Sequence, residues 1–134
     1  MKVIFKLFVL ACFFASCGSE SESPFIDSLS IHNENAEILK EEGAQIDFSY
    51  SFSDDNGLGK FRVEVIDDFE DAKITSAPWN DIWDFDLSGT SSSGSKSIPL
   101  PYPDIELGRY KLVVTVVDID DQETAQNKTF RVVE

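Results

Sequence analysis

Apolar and polar residues alternate strictly over one stretch of the chain. Ile46, Phe48, Tyr50 and Phe52 are interleaved with Asp47, Ser49 and Ser51. A period of two predicts a half-buried antiparallel strand with its apolar side on the core. Phe61, Val63 and Val65, spaced by Arg62 and Glu64, repeat the pattern. Between the two strands, residues 53–58 (Ser-Asp-Asp-Asn-Gly-Leu) have turn chemistry, and Asn56-Gly57 tolerates positive φ. Upstream, residues 25–31 and 36–40 read as one strand broken in two, with a short helix over 36–41, capped by Asn35, as the alternative for the second piece. Glu42-Gly43 then turns the chain. Downstream, residues 67–94 are harder to assign. They hold Trp79, Ile82, Trp83, Phe85 and Leu87 and run into Ser- and Gly-rich residues 88–95. Residues 97–100 suit a short strand that Pro99, Pro101 and Pro103 confine to an edge or a loop. Residues 110–117 form a dense apolar run expected at the centre of a sheet. Residues 128–133 are the last strand, with Phe130 and Val132 facing one way. About seven strands separated by turns, with no long helical period, predict an all-β antiparallel sandwich.

The first 16 residues follow a different rule. Lys2 and Lys6 precede an apolar run from Leu7 to Phe14, and Ala15-Ser16 supplies small residues, the layout of a secretory signal. The run is too short for a permanent span, which needs about 20 apolar residues. Cys17 follows at once, and Phe14-Ala15-Ser16-Cys17 resembles the lipobox of bacterial lipoproteins, with Phe14 where Leu is usual. The resemblance implies cleavage before Cys17, diacylglycerol on its thiol and acylation of its amine, and two or more acyl chains anchor firmly. Cys12, after Val9-Leu10-Ala11, is the competing position, but the apolar Phe13-Phe14 follows it, whereas the chain turns polar directly after Cys17. Ordinary secretion without a lipid is the alternative. Residues 18–23 (Gly-Ser-Glu-Ser-Glu-Ser) make a solvated tether that Pro24 ends. The expected organisation is a signal over 1–16, an acidic tether over 17–24 and a sandwich domain over 25–134. Cys12 and Cys17 are the only cysteines, so the domain would be held by its core without a disulfide.

Composition narrows the partners. Hydrophobic residues make up 42% of the chain, 11 of them Phe, which excludes disorder as the state of the whole. Net charge is −14, and without Lys2 and Lys6 the remainder carries 9 basic against 25 acidic residues, a net of −16. Such a chain repels phosphate backbones, so nucleic acid is not an expected partner, while cations or a basic protein would be attracted.

Residues 107–112 (Leu-Gly-Arg-Tyr-Lys-Leu) resemble the start of the sixth strand of immunoglobulin-like domains. Tyr110 stands at the tyrosine-corner position and Leu112 where a disulfide cysteine would be. No Trp lies on the Phe61–Val65 strand, unlike in antibody domains. Cys17, the Asp54-Asp55-Asn56-Gly57-Leu58 turn and Gly108 to Leu112 with Val117-Asp118 together resemble Bacteroidetes surface lipoproteins of unknown function with an immunoglobulin-like, cadherin-like domain, over residues 17–134. The acidic stretch after Cys17 likewise resembles the surface-export signal of such lipoproteins. The resemblance implies display at the outer membrane surface and no established activity. Members tend to be His-rich after the third strand, whereas this chain reads Asp67-Asp68-Phe69-Glu70-Asp71.

Two groups of residues carry candidate chemistry. In a seven-stranded sandwich the loops after the second and sixth strands lie at one end, which would bring Asp54 and Asp55 toward Asp118, Asp120 and Asp121. Carboxylates in number suit Ca²⁺, which takes 6–8 oxygens, although no EF-hand loop occurs. The bland reading is solvated turn carboxylates, as for the further acidic group at 67–71. Trp79 and Trp83, beside Asn80, Asp81 and Asp84, would suit a sugar platform if their rings are exposed, and core aromatics if they are not. His32 is the single His, and no G-x-S-x-G, H-E-x-x-H or phosphate loop occurs, so a small hydrolase is the least supported class. Asn127-Lys128-Thr129 fits a glycosylation acceptor but reads as the beginning of a strand. The expectation is a non-enzymatic surface module for an envelope complex or glycan, with a calcium-stabilised adhesion module as the alternative.

Overall fold

The computed structural model describes residues 21–69 and 79–134. The signal, Cys12 and Cys17, and residues 18–20 of the tether lie outside these residues, as do Glu70 and Asp71. The described chain forms eight strands and one 3₁₀ turn, Glu34–Ala36. In chain order the strands are β1 (Phe25–Ile31), β2 (Glu37–Leu39), β3 (Gln45–Ser53), β4 (Leu58–Asp67), β5 (Asp81–Asp86), β6 (Ser91–Pro99), β7 (Gly108–Asp118) and β8 (Glu123–Val133). One sheet runs β1-β3-β6 and the other β2-β8-β7-β4-β5. This is an immunoglobulin-like sandwich. The dense run from 110 becomes β7, central between β4 and β8, as its apolar content requires.

Alternation sets the register. Ile46, Phe48, Tyr50 and Phe52 of β3 all point inward and are buried, and Phe61, Val63 and Val65 of β4 face them from the other sheet. Rings cross the gap: Phe61 lies 4.7 Å from Tyr50 and 5.2 Å from Phe52, centroid to centroid. Leu112, Val114 and Val116 of β7 and Phe130 and Val132 of β8 complete the layer. Each such side chain stabilises the fold by about 1.5–3 kcal/mol through burial. On the outer face of β4 and β5, Arg62 Nε and Nη2 donate to Asp84 Oδ1 and Oδ2 at 2.8 and 3.1 Å. This fork holds the Asp84 carboxyl below its ordinary pKa, chiefly through the hydrogen bonds.

Three features depart from the sequence pattern. First, the strand expected over 36–40 forms as β2 and the alternative helix does not, but its pairing has no signature in the sequence. Asn35 and Ala36 take positive φ of 55° and 54°, and the chain enters β2, pairing parallel with β8 over Arg131–Val133. The broken first strand is thus one that changes sheets, and it makes one parallel pair in an otherwise antiparallel set. Second, β6 starts at Ser91, well before the short strand expected at 97. Its inward positions include Ser92, Gly94 and Lys96, so no apolar alternation announces it. Gly94 is required there, because a Cβ would sit 2.9 Å from the Tyr50 hydroxyl oxygen. Lys96 Nζ lies 4.6 Å from the centroid of the Phe85 ring on β5 and closes the seam between the sheets. Third, β5 forms within the unassigned region, with Trp83 opposite Val63 and Phe85 opposite Phe61.

The tyrosine corner is present. Tyr110 is fully buried, and its hydroxyl donates to the Glu106 carbonyl at 2.7 Å. Burial pushes the phenol pKa up to about 12; the Trp79 backbone offsets this in part, while Glu106 and Asp67 add to it. A folded-state value above the ordinary 10 means that stability is fully present below pH 10 and is lost as pH rises toward 12. Melting temperature should therefore fall across pH 10–12 in the native domain. Tyr110→Phe should lower stability near pH 8 by about 0.5–1.5 kcal/mol and show a shallower alkaline decline.

Candidate functional site

Three loops meet at one end of the sandwich. The β3–β4 turn is tied to the β5–β6 turn through Asp54 N–H to Thr90 C=O at 2.9 Å and Leu58 N–H to Gly89 C=O at 2.8 Å. It is tied to the β7–β8 turn through Ile119 N–H to Gly57 C=O at 3.0 Å. The sequence expectation that Asp54, Asp55, Asp118, Asp120 and Asp121 share an end agrees with this geometry.

The carboxylates divide by environment. Asp54 and Asp118 are buried, at 4% and 2% exposure. Asp54 Oδ2 accepts the N–H groups of Asn56 and Gly57 at 2.9 and 2.8 Å. Gly57 can close this turn because its φ is 135°. Asp118 Oδ1 accepts the N–H groups of Asp120 and Gln122, both at 2.8 Å. Each carboxylate replaces the strand partners that a tight turn denies its backbone donors. Asp55, Asp120 and Asp121 are exposed. Asp120 Oδ2 accepts the Ser21 hydroxyl at 3.0 Å, and Asn56 Nδ2 donates to the same hydroxyl oxygen at 2.7 Å. Ser23 donates to Gln122 Oε1 at 3.3 Å. The last residues before β1 are thus strapped across two loops, a contact with no signature in the sequence.

The two buried carboxylates of this end are engaged by the turns themselves. Among the described residues no group of three or more His, Cys, Asp or Glu side chains is disposed to hold a metal ion. Asp118 Oδ2 has no hydrogen-bond partner among the described residues.

Trp79 requires a correction. It is 1% exposed and packs edge-on against Tyr110 at 6.2 Å, Phe130 at 5.9 Å and Trp83 at 6.5 Å between centroids. A ring enclosed in this way offers no face to a sugar. It fills the core where the Phe61–Val65 strand supplies no Trp. Trp83 is half-buried on the inward side of β5, and the exposed apolar residue of that strand is Ile82. The alternation of Trp83, Phe85 and Leu87 with Ile82, Asp84 and Asp86 is the signal that assigns these rings to the core. His32 is exposed at the far end of β1, where its N–H bonds the Asp47 carbonyl at 2.8 Å.

Two depressions lie along the flank where β1 of one sheet faces β8 of the other. The larger, 580 Å³, is lined by Glu22, Pro24, Ile26, Thr124 and Gln126 among others. The smaller, 300 Å³, is lined by Leu29, Ile31, Ala36 and Lys128 among others. Nothing in the side-chain pattern marked this flank, because what is open there is backbone.

Asp118→Ala should cost about 1–3 kcal/mol for the backbone donors it strands. Asp118→Asn keeps the Oδ1 acceptor and should cost less than half as much. Chemical denaturation of the two variants checks the order. Millimolar Ca²⁺ should leave the melting temperature unmoved, and a rise of several degrees would reinstate the calcium-stabilised reading.

Among solved structures, the chain is similar to OgpA from Akkermansia muciniphila, with a TM-score of 0.59 at 11% identity over 84% of this chain. It spans 29% of that protein's length, and the likeness is one of fold. An immunoglobulin-like protein from Pseudomonas aeruginosa aligns at a TM-score of 0.46 and 12% identity, over 85% of this chain and 99% of that one. The PmoD soluble domain from a Methylocystis species aligns at 0.41 and 14% identity, over 78% and 89%. No curated protein matches the chain in sequence. A family profile matches residues 15–133, nearly the whole sandwich and its tether, and the chain belongs to that family, DUF4625, a domain of unknown function.

Proposed function

We propose that the protein is a non-catalytic binding module of the cell envelope, held at the outer membrane by lipid on Cys17 and presenting its sandwich to a macromolecular partner. The observation that carries this reading is the strap at the loop end. Ser21 bonds Asp120 and Asn56, and Ser23 bonds Gln122. Cys17 precedes Ser21 by four residues, a reach of at most about 14 Å. A lipid on Cys17 would therefore keep the loop end near the headgroups and turn the two long flanks and the opposite end outward. The carboxylates of the loop end are then turn staples at the membrane side, and partner binding falls to the flanks. With Trp79 in the core, the glycan platform loses one of its two rings, which favours a polypeptide partner.

In the producing cell, the native protein should partition with the membrane fraction and incorporate labelled fatty acid. Cys17→Ala should abolish both, while Cys12→Ala should leave both intact. Label retained by Cys17→Ala and lost from Cys12→Ala would transfer the anchor to Cys12. Absence of label from the native chain would remove the anchored reading.

A further inference from the structure

β8 is paired along its whole length with β7, but on its other side β2 covers only Arg131, Val132 and Val133. Backbone parity fixes which groups remain. The Val133 carbonyl accepts the Lys40 N–H at 2.8 Å, so odd-numbered residues of β8 turn their N–H and C=O away from β7. The Gln122 carbonyl, which accepts the Asp118 N–H on the β7 side at 2.9 Å, has the opposite parity, as it should. Glu123, Ala125, Asn127 and Thr129 therefore present their backbone groups outward, and among the described residues none of them has a backbone partner on that side. This length of edge measures about 20 Å, the size of an ordinary strand. The two depressions lie beside it, walled on the β1 side by Ile26, Leu29 and Ile31.

We propose that this open edge of β8, with the depressions beside β1, is a strand-addition site for an extended peptide bearing apolar side chains at alternate positions and basic ones between. Backbone groups of the edge would hold the peptide, as in other cases of sheet augmentation. Its inward side chains would rest against Ile26 and Leu29, and its outward ones would stand beside Glu123 and near Glu22 on a chain of net charge −14. β2 already occupies the upper end of the same edge, so the guest would extend an existing pairing. Lys128 and Ala36 line that end, where β2 takes over. The proposal rests on the binding-module reading and supplies its partner class, but it is tested without reference to the lipid.

The test uses the full chain in detergent and amide hydrogen exchange read by NMR. In the free protein, the Ala125, Asn127 and Thr129 amides should exchange at least about tenfold faster than those of Thr124, Gln126 and Lys128, which bond β7. A capped peptide of four Lys-Val repeats should then slow the fast set and leave the slow set unchanged. The same peptide with alternate N-methyl groups along one edge should lose this protection, since charge is kept and ladder donors are removed. Ala125→Pro, which removes an outward N–H and no bond to β7, should lose it too, and the N-methylated peptide decides the matter if that variant does not fold. The Glu-Val counterpart should bind at least about tenfold more weakly. Protection of the odd amides in the free monomer, equal binding of the N-methylated peptide, or protection only on self-association of the chain would each overturn the proposal.

Discussion

The two sheets are held together by rings rather than by a covalent bridge. Residues 18–134 contain no cysteine, so the cross-sheet role of a disulfide falls to apolar contact. Phe61 on β4 meets Tyr50 and Phe52 on β3 at 4.7 and 5.2 Å, and Phe85 stacks behind Phe61 at 4.8 Å. A second cluster at the other end gathers Trp79, Tyr110 and Phe130. Between the clusters, Val63, Val65, Leu112, Val114 and Val116 fill the layer, all buried to within 1%. Everything else is arranged around that packing. Gly94 makes room for Tyr50, and Gly108 has a φ of 144° that brings its backbone against Phe69. Small-residue requirements of this kind follow from interiors packed to crystal-like density.

Strands that bury a continuous apolar side were legible in the sequence. β3, β4 and β7 announce themselves because apolar residues fill the inward positions along most of their length and the outward ones are polar or half-exposed. The tyrosine corner was legible for a similar reason: a buried phenol must find an acceptor, and the strand start supplies one at Glu106. β6 was not legible, because its inward face is Ser, Gly and Lys and its place is dictated by the β3 backbone beside it. The parallel pairing that carries residues 37–39 into the other sheet was not legible, because it is set by β8, a partner nearly a hundred residues away. Local propensity yields to such pairing.

The candidate site shows the same division. That Asp54 and Asp118 would share an end follows from topology alone, and the loops do meet. What their oxygens do depends on backbone donors two to four residues away, which side-chain identity does not reveal. Trp79 and Trp83 looked alike in sequence, yet one is enclosed and the other lies half-covered on a strand. The flank between β1 and β8 left no trace in the pattern. An edge is defined by the absence of a neighbour, and no residue type encodes that.

The inward lysine on β6 gives the molecule handedness in how it can associate. Growth of a continuous sheet from chain to chain needs two receptive borders on every copy. Here β6, the terminal strand of the smaller sheet, carries a cation turned into the seam and seated on Phe85, a charge that an added strand would have to dislodge. An inward charge of this kind discourages edge-to-edge pairing at that strand.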